Sequence, residues 1–247
     1  MRLLITIEYD GTNYAGWQIQ PNQTTVQGVL TNALSSLLKT EISLFASGRT
    51  DSGVHASGQT AHFDYDGSFP IEKLPLAVNT LLPEDVRVID CQIKNSNFHA
   101  RFDVKKKTYV YRFYLSKISR PLKNHTMVHV PFLESDFDMD KAKVALSYFI
   151  GTHDFKAFCS TGRPVNDYHR TIYSADVFCQ DGDYSLVITG NGFLYNMVRI
   201  IAGTVIEVAL GKRNIDDVKK ALELGERSYS GKTYPAHGLI LDSVVYD

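Results

Sequence analysis

The sequence predicts an α+β fold made of two similar halves that share one sheet. Segments in which apolar and polar residues alternate are typical of half-buried strands, and they are interspersed with segments that have apolar residues at helical spacing. From about Lys107, the second half again mixes strands with crossover helices. We therefore divide the chain into halves at 1–105 and 106–247.

The first half is predicted to run strand, helix, strand, strand, helix, strand. Residues 2–10 alternate in polarity, and a capping box at Thr24-Thr25-Val26-Gln27 opens a helix whose apolar residues follow at helical spacing. The second helix ends before Pro83. The remaining predicted elements are strands at Ile42–Ala46 and Gln59–Asp64, the helix at Pro70–Leu81 and a strand at Val86–Ile93.

The second half begins with an aromatic strand around Tyr109, Tyr111 and Phe113. We interpret Tyr111 as a core residue. Residues 160–170 form a predicted loop that contains Arg163 and Arg170. The other predicted elements are a short strand at His125–Val130, helices at Asp138–Ile150, 192–210 and Ile215–Leu224, a hairpin of Thr171–Cys179 and Tyr184–Thr189, and a final strand at Leu239–Tyr246.

Composition narrows the class of protein. The 247 residues are 44% hydrophobic and 21% charged, as in ordinary globular proteins, and no run approaches the roughly 20 apolar residues of a membrane span. Three widely spaced cysteines indicate neither a disulfide framework nor a zinc site, which favours a reducing cytoplasm. A net charge of −1 gives no support to nucleic-acid binding, so any RNA surface requires local segregation of charge.

The predicted helix at 192–210 is apolar nearly all round and is therefore expected to be buried. Arg199 and Glu207 interrupt it, and a buried arginine requires a carboxylate or strong acceptors. Glu207 lies about 12 Å along the helix, too far for an easy pair. Arg199 is thus expected to find a partner elsewhere, and Asp51 is a candidate.

Two stretches have the composition of functional segments. Residues 47–59 form a loop between two strands, with Asp51 as the only carboxylate, and a simple Asx-turn is the alternative interpretation. Arg101 and the run Lys105-Lys106-Lys107 form the strongest basic cluster beside aromatic residues, a composition that suits RNA. A solvated charge run is the alternative here.

These stretches carry a family resemblance. Residues 48–56, Gly-Arg-Thr-Asp-Ser-Gly-Val-His-Ala, resemble the active-site motif of the TruA family of tRNA pseudouridine synthases. Further segments resemble the family near residues 9, 99, 109, 193 and 238, so the resemblance covers nearly the whole chain. The segments His99-Ala100-Arg101-Phe102, Met197-Val198-Arg199 and the short Arg170-Thr171-Ile172 also resemble segments of the family.

The resemblance implies two RRM-like halves that share a continuous, mainly antiparallel sheet, with helices on one face and the active-site cleft between the halves. It implies that Asp51 is the nucleophile, that Arg199 pairs with it and that Tyr109 stacks on the target base. The implied substrate is the tRNA anticodon arm, at uridines 38, 39 and 40, and the implied assembly is a homodimer. The implied substrate-binding residues are Tyr109, Arg49, His55, Arg101, Lys105, Lys106, Lys107, Arg170 and Leu241.

Isomerisation of uridine gains no atom or electron, so no metal, nucleotide or redox cofactor is expected, and the sequence has no phosphate-binding loop or His/Cys cluster. Two other functions stay open. A nucleoside hydrolase would release free uracil, although most such enzymes use two carboxylates and the loop has one. In a non-catalytic RNA-binding module, an Asp51→Ala change would affect binding and modification together.

Overall fold

The computed structural model describes residues 1–162 and 166–247, so Arg163 lies outside the described residues. The chain divides into two compact units, a first unit of residues 1–105 with 240–247 and a second unit of residues 106–239. Each unit combines strands with helices, and most of the strand pairs are antiparallel. The predicted mixture of α and β structure is confirmed.

The sheet of the first unit is organised around its first strand. Strand β1 lies between β3 and β4 and pairs antiparallel with both. The opposite edge of β3 pairs antiparallel with the short strand β2 and parallel with β10, through Ile240 beside His55 and Leu241 beside Ala56. The strands are β1 (Arg2–Tyr9), β2 (Phe45–Ala46), β3 (His55–Asp64), β4 (Val86–Lys94) and β10 (Leu239–Val245).

Helix α1 (Val26–Leu38) buries one apolar stripe, as its spacing predicts. Its N-cap is Thr25, whose hydroxyl accepts the Gly28 N–H at 3.3 Å. The capping box predicted from Thr24 is therefore wrong by one residue. The Gln27 side chain instead bridges to neighbouring loops, because its amide donates to the Leu44 carbonyl and accepts from the Ile19 N–H.

The second predicted helix is shorter than expected. A single 3₁₀ turn at Ile71–Lys73 leads into α2 (Leu74–Asn79), and Asn79 then bonds to both the N–H and the carbonyl of Val88 in β4. The strand predicted at 42–46 covers only Phe45–Ala46. Ile42 and Leu44 are buried all the same, so their apolar alternation reflects core packing without strand pairing.

The strands of the second unit pair mainly antiparallel. The strand order is β5, β9, β8, β7, with β6 parallel to β5. Strand β7 was not predicted, because its four residues carry no clear alternation. The strands are β5 (Lys106–Leu115), β6 (Val128–Val130), β7 (Gly151–Asp154), β8 (His169–Gln180) and β9 (Asp183–Gly190).

The described residues of the second unit also form the α-helices α3 (Met139–Ser147), α4 (Met197–Ala209) and α5 (Asp216–Leu224). Helix α4 is buried almost all round, as predicted. It begins five residues later than predicted, because Asn196 takes a left-handed conformation at φ 60° and acts as the N-cap. Within the described ranges, no helix is both long and apolar enough to cross a membrane.

Candidate active site

The loop of residues 47–54 leaves β2 and returns to β3, and it carries Asp51 in a half-buried position. The loop is hydrogen-bonded to residues 14 and 17 on both sides of Asp51. The Thr50 carbonyl accepts the Trp17 N–H at 3.0 Å, and the Ser52 hydroxyl donates to the Tyr14 carbonyl at 3.1 Å. The loop is also closed on itself, because the Val54 N–H donates to the Asp51 carbonyl at 3.1 Å.

The segment around Gly16 packs backbone to backbone against this loop. Gly16 has φ +92°, and a Cβ there would lie 2.7 Å from the Thr50 carbonyl oxygen and 3.1 Å from the Asp51 carbonyl carbon. Only glycine combines this conformation with so close an approach. The Tyr14–Trp17 segment therefore packs closely against the main chain around Asp51.

The neighbours of Asp51 in the motif occupy different environments. Arg49 is exposed, whereas His55 is 5% exposed at the start of β3. The Nδ1 atom of His55 lies 3.1 Å from the Gly11 amide nitrogen and 3.0 Å from an Asp10 carboxylate oxygen. These contacts favour a role for His55 in holding the loop at residues 10–11, and its substrate-binding role stays a prediction.

Leu241 is 1% exposed in β10 and pairs with Ala56, the last residue of the motif. The first unit thus places Leu241 close to the strand end that follows the Asp51 loop. A wall of the substrate pocket remains its predicted role.

Arg101 belongs to an aromatic cluster in the first unit. Its exposed guanidinium lies 5.8 Å from the centre of the Phe102 ring, and that ring packs on His99 at 4.3 Å between centroids. His99 in turn packs edge-on against His62 at 4.7 Å. A cation beside an exposed aromatic ring, here that of Phe102, is an arrangement that can bind nucleotides by charge and stacking.

The exposure of the lysine run at residues 105–107 changes along its length. Lys105 and Lys106 are exposed, and Lys107 is half-buried in the pair of β5 with β9, opposite Gly190. The main chain of Lys105 is fixed by its N–H, which donates to the Val245 carbonyl at 2.9 Å. The exposed ammonium groups are accessible to phosphates, and their binding role stays a prediction.

Tyr109 is half-buried on β5 and contacts the Phe193 ring edge-on at 5.1 Å between centroids. Tyr111, two residues further along the same face, is fully buried, and its hydroxyl donates to the Pro235 carbonyl at 2.8 Å. Burial raises the pKa of the Tyr111 hydroxyl well above its usual value. The interpretation of Tyr111 as core is confirmed, and of these two tyrosines Tyr109 is the more accessible to a ligand.

Arg199 is half-buried rather than buried, so that part of the prediction is wrong. Its Nε donates to the Tyr234 carbonyl and its Nη1 to the Asn196 side chain, both at 2.7 Å. These are the strong acceptors that the apolar helix requires. Glu207 pairs instead with Arg213 at 3.2 Å, in agreement with its distance from Arg199 along the helix.

Arg170 is half-buried at the start of β8, and its Nη1 donates to the main-chain carbonyls of Asp167 and His169. Its side chain also passes Gly192, where an added Cβ would lie 3.8 Å from Nε. Gly192 precedes Phe193, the ring that contacts Tyr109. Within the second unit, Arg170 and Tyr109 therefore flank one segment.

The sequence interpretation did not identify several groups that hold these residues. Asn196 and the Tyr234 carbonyl bind Arg199, while Tyr9 and Gln59 bond to the Asp51 loop. The sequence does contain a signal for Gln59, because it is a polar residue at the start of a predicted strand. Among the described residues, no group of three or more His, Cys, Asp or Glu side chains is arranged to hold a metal ion.

Comparison with known proteins identifies the family to which the chain belongs. A family model described as tRNA pseudouridine synthase matches residues 5–103 and 145–247. A protein of Anoxybacillus flavithermus named tRNA pseudouridine synthase A is 49% identical over 247 residues, covering 100% of this chain and 99% of its own. Its namesake from Bacillus subtilis is 46% identical over 249 residues, with both chains fully covered.

Among solved structures, one described as a Cbf5-Nop10-Gar1 complex aligns at 11% identity with a TM-score of 0.35. The alignment covers 95% of this chain and 56% of that one. At this TM-score the likeness does not establish a shared fold.

A family match over most of the chain and full-length relatives near one-half identity define an RNA-modifying isomerase. The chain belongs to the tRNA pseudouridine synthase family, which confirms the resemblance inferred from its motifs.

Proposed function

We propose that this protein isomerises uridine to pseudouridine in the anticodon arm of tRNA, with Asp51 as its nucleophile. The observation that carries the proposal is the placement of Asp51. It is a half-buried carboxylate on a loop that is hydrogen-bonded at both neighbouring residues, through the Thr50 carbonyl and the Ser52 hydroxyl. A rigidly held carboxylate is what covalent chemistry at a nucleoside requires.

The reaction breaks the glycosidic C–N bond, turns the uracil and forms a C–C bond to the same sugar. One ionised carboxylate can serve it without a metal or a redox cofactor. The target base has to leave its stack to reach Asp51, and Tyr109 would then stack on the flipped ring. Arg49 would hold the RNA backbone at the position from which the base has flipped out. The basic residues would bind phosphates without sequence preference.

Replacing Asp51 tests this function. We expect Asp51→Asn to abolish pseudouridine formation while tRNA affinity stays within a few-fold, because the change removes the nucleophile and little phosphate contact. The measurement is mapping of pseudouridine in tRNA transcripts, together with a binding titration.

The exposed Asp66 offers a matched control in the same unit, and Asp66→Asn should leave modification unchanged. Full turnover by Asp51→Asn would refute the proposal. Release of free uracil by the unaltered protein would identify a hydrolase instead.

We also propose that the two RRM-like halves share one sheet, with helices on one face and the cleft between the halves, so that Arg199 pairs with Asp51 there. The guanidinium of Arg199 is half-buried, and a charge withdrawn from water is stabilised by a carboxylate partner. A cation beside Asp51 would in turn favour the ionised carboxylate in a closed pocket. Arg199→Leu should therefore slow the reaction at neutral pH, with partial recovery in alkali.

A double-mutant cycle on unfolding free energy checks the pairing. The double variant Asp51→Asn with Arg199→Leu should lose less unfolding free energy than the two single variants together, because neither charge is then left without its partner. Arg199→Leu combined with Asp66→Asn should be additive. Additive losses in the first cycle would rule out the pair.

The assembly we propose is a cytoplasmic homodimer in which the cleft is shared by two chains. Sedimentation equilibrium should then give twice the mass of one chain at micromolar concentration. A mass of one chain at the concentration of the activity assay would contradict the dimer, and recovery in a membrane fraction would contradict the location.

A further inference from the structure

A small set of polar side chains is buried beneath the Asp51 loop. Burying a polar group costs free energy unless it is hydrogen-bonded, so such a set has to be closely paired. The side chains come from β1, from β3 and from the loop itself. They are Tyr9 at 3% exposure, Ser47 at 1%, Thr50 at 6% and Gln59 at 0%.

Gln59 joins strand β3 to the start of the loop. Its Oε1 accepts the Ser47 hydroxyl at 2.7 Å and the Thr60 N–H at 3.1 Å, while its Nε2 donates to the Gly48 carbonyl at 3.0 Å. The two main-chain partners determine the amide orientation, because an N–H can only donate and a carbonyl can only accept. A glutamate of the same shape would lack the donor for Gly48.

Tyr9 holds the loop from the other side. Its hydroxyl lies 2.7 Å from the Thr50 hydroxyl, next to Asp51 in the chain. Burial raises the pKa of the Tyr9 hydroxyl, although hydrogen bonds with Thr50 and Gln59 oppose the rise, so it stays neutral and able to donate. The register of β1 against β3 shifts between Ile7 and Tyr9, and the shift pairs Tyr9 with Ala56.

We propose that Tyr9 and Gln59 are positioning residues for the isomerisation, and that they act by holding the Thr50 side chain and the Gly48 carbonyl. The proposal rests on Asp51 as the proposed nucleophile. The segment that leads into Asp51 is hydrogen-bonded by these two side chains and by the Trp17 N–H, which come from separate elements. A displacement of about 1 Å at a reacting group can cost roughly 100-fold in rate.

The first test is Tyr9→Phe, which removes one hydroxyl and keeps the ring. We expect kcat to fall between about 10- and 100-fold while KM for tRNA stays within about two-fold, because the nucleophile is misplaced and the binding surface is intact. Tyr65→Phe is the matched control. Tyr65 is also buried in the first unit, and its hydroxyl accepts the Phe69 N–H at 3.2 Å.

The partner of Tyr9 supplies a second test, which stands even if one variant folds poorly. Thr50→Val removes the hydroxyl and keeps the shape, and its loss of kcat should match that of Tyr9→Phe. The double variant should lose little more than either one, because both changes remove the same hydrogen bond. Thr50→Ser, which restores a hydroxyl, should recover most of the rate that Thr50→Val loses.

Gln59→Glu tests the other residue, and it too should lower kcat with little change in KM, since the Gly48 carbonyl loses its donor. Wild-type kcat in Tyr9→Phe, Thr50→Val and Gln59→Glu would overturn the inference. So would a loss in Tyr65→Phe equal to that in Tyr9→Phe. If Asp51→Asn is inactive and these variants are not, only the positioning role fails, whereas activity in Asp51→Asn refutes the proposed function itself.

Discussion

His62 is a buried histidine inside the aromatic cluster of the first unit. Its ring stacks on Phe45 at 5.2 Å between centroids, and its Nδ1 accepts the Ala100 N–H at 3.1 Å. Burial lowers the pKa of His62 to about 4, and the nearby charges of Arg2 and His99 act in the same direction. The neutral imidazole is therefore the form that the fold accommodates.

This lowered pKa predicts that the folded state loses stability in acid. Between the unfolded value of 6.5 and the folded value of about 4, the unfolded chain binds more protons than the folded one. The contribution of His62 is thus fully present above pH 6.5 and is lost as the pH falls toward 4, by at most about 1.4 kcal/mol per pH unit. Denaturant unfolding of the wild type and of His62→Gln across this range measures it.

The exposed His125 is the control for that experiment, and His125→Gln should keep the wild-type slope. A slope in His62→Gln equal to that of the wild type would show that other groups cause the acid sensitivity.

At the scale of elements, the Asp51 loop depends on glycine at a position outside its own segment. Gly16 and Gly211 both have positive φ, at +92° and +66°, yet only Gly16 has main-chain atoms within 3.1 Å of an added Cβ. The space around Gly211 is open. The two glycines therefore separate the cost of the backbone conformation from the cost of close packing.

We expect Gly211→Ala to cost about 1 kcal/mol of unfolding free energy, from the left-handed conformation alone, and to leave kcat unchanged. Gly16→Ala should cost more and also lower kcat, because the methyl group pushes on the main chain at Thr50 and Asp51. Thermal unfolding and turnover of both variants measure this. Equal losses of stability and of kcat in the two variants would show that the close packing of Gly16 on the Asp51 loop has no effect of its own.

At the scale of the whole molecule, a net charge of −1 means that RNA binding has to rely on local basic surfaces. Lys105, Lys106 and Arg101 are exposed, as that requirement demands. Affinity carried by phosphate contacts falls with salt in proportion to the number of contacts.

Replacing Lys105, Lys106 and Lys107 together by glutamine should weaken tRNA binding and flatten its salt dependence by at most about three units of slope. Glutamine at the exposed Lys141, Lys143 and Lys219 of α3 and α5 removes the same charge elsewhere and should change the slope less. An equal change in both sets would indicate a general effect of charge, and no change in the first set would identify a solvated face.

The predictability of the fold differs from element to element. Helix α4 was found because nearly every residue of it is apolar, and hydrophobic periodicity depends only on the local chain. Its start was misplaced because the left-handed Asn196 is a backbone choice that the pattern does not record. The N-cap of α1 was shifted by one residue for a similar reason, since Thr24 and Thr25 are equivalent as residue types and only the hydrogen bond to Gly28 distinguishes them.

The sequence by itself determined the order of most strands and helices, the family and the motif that contains Asp51. Only the tertiary structure decided which polar groups meet. Tyr9 and Thr50 are 41 residues apart, and Arg199 and Tyr234 are 35 apart. A strand's periodicity tells which face a side chain is on, whereas its partner depends on register, and one irregularity in β1 sets the register at Tyr9.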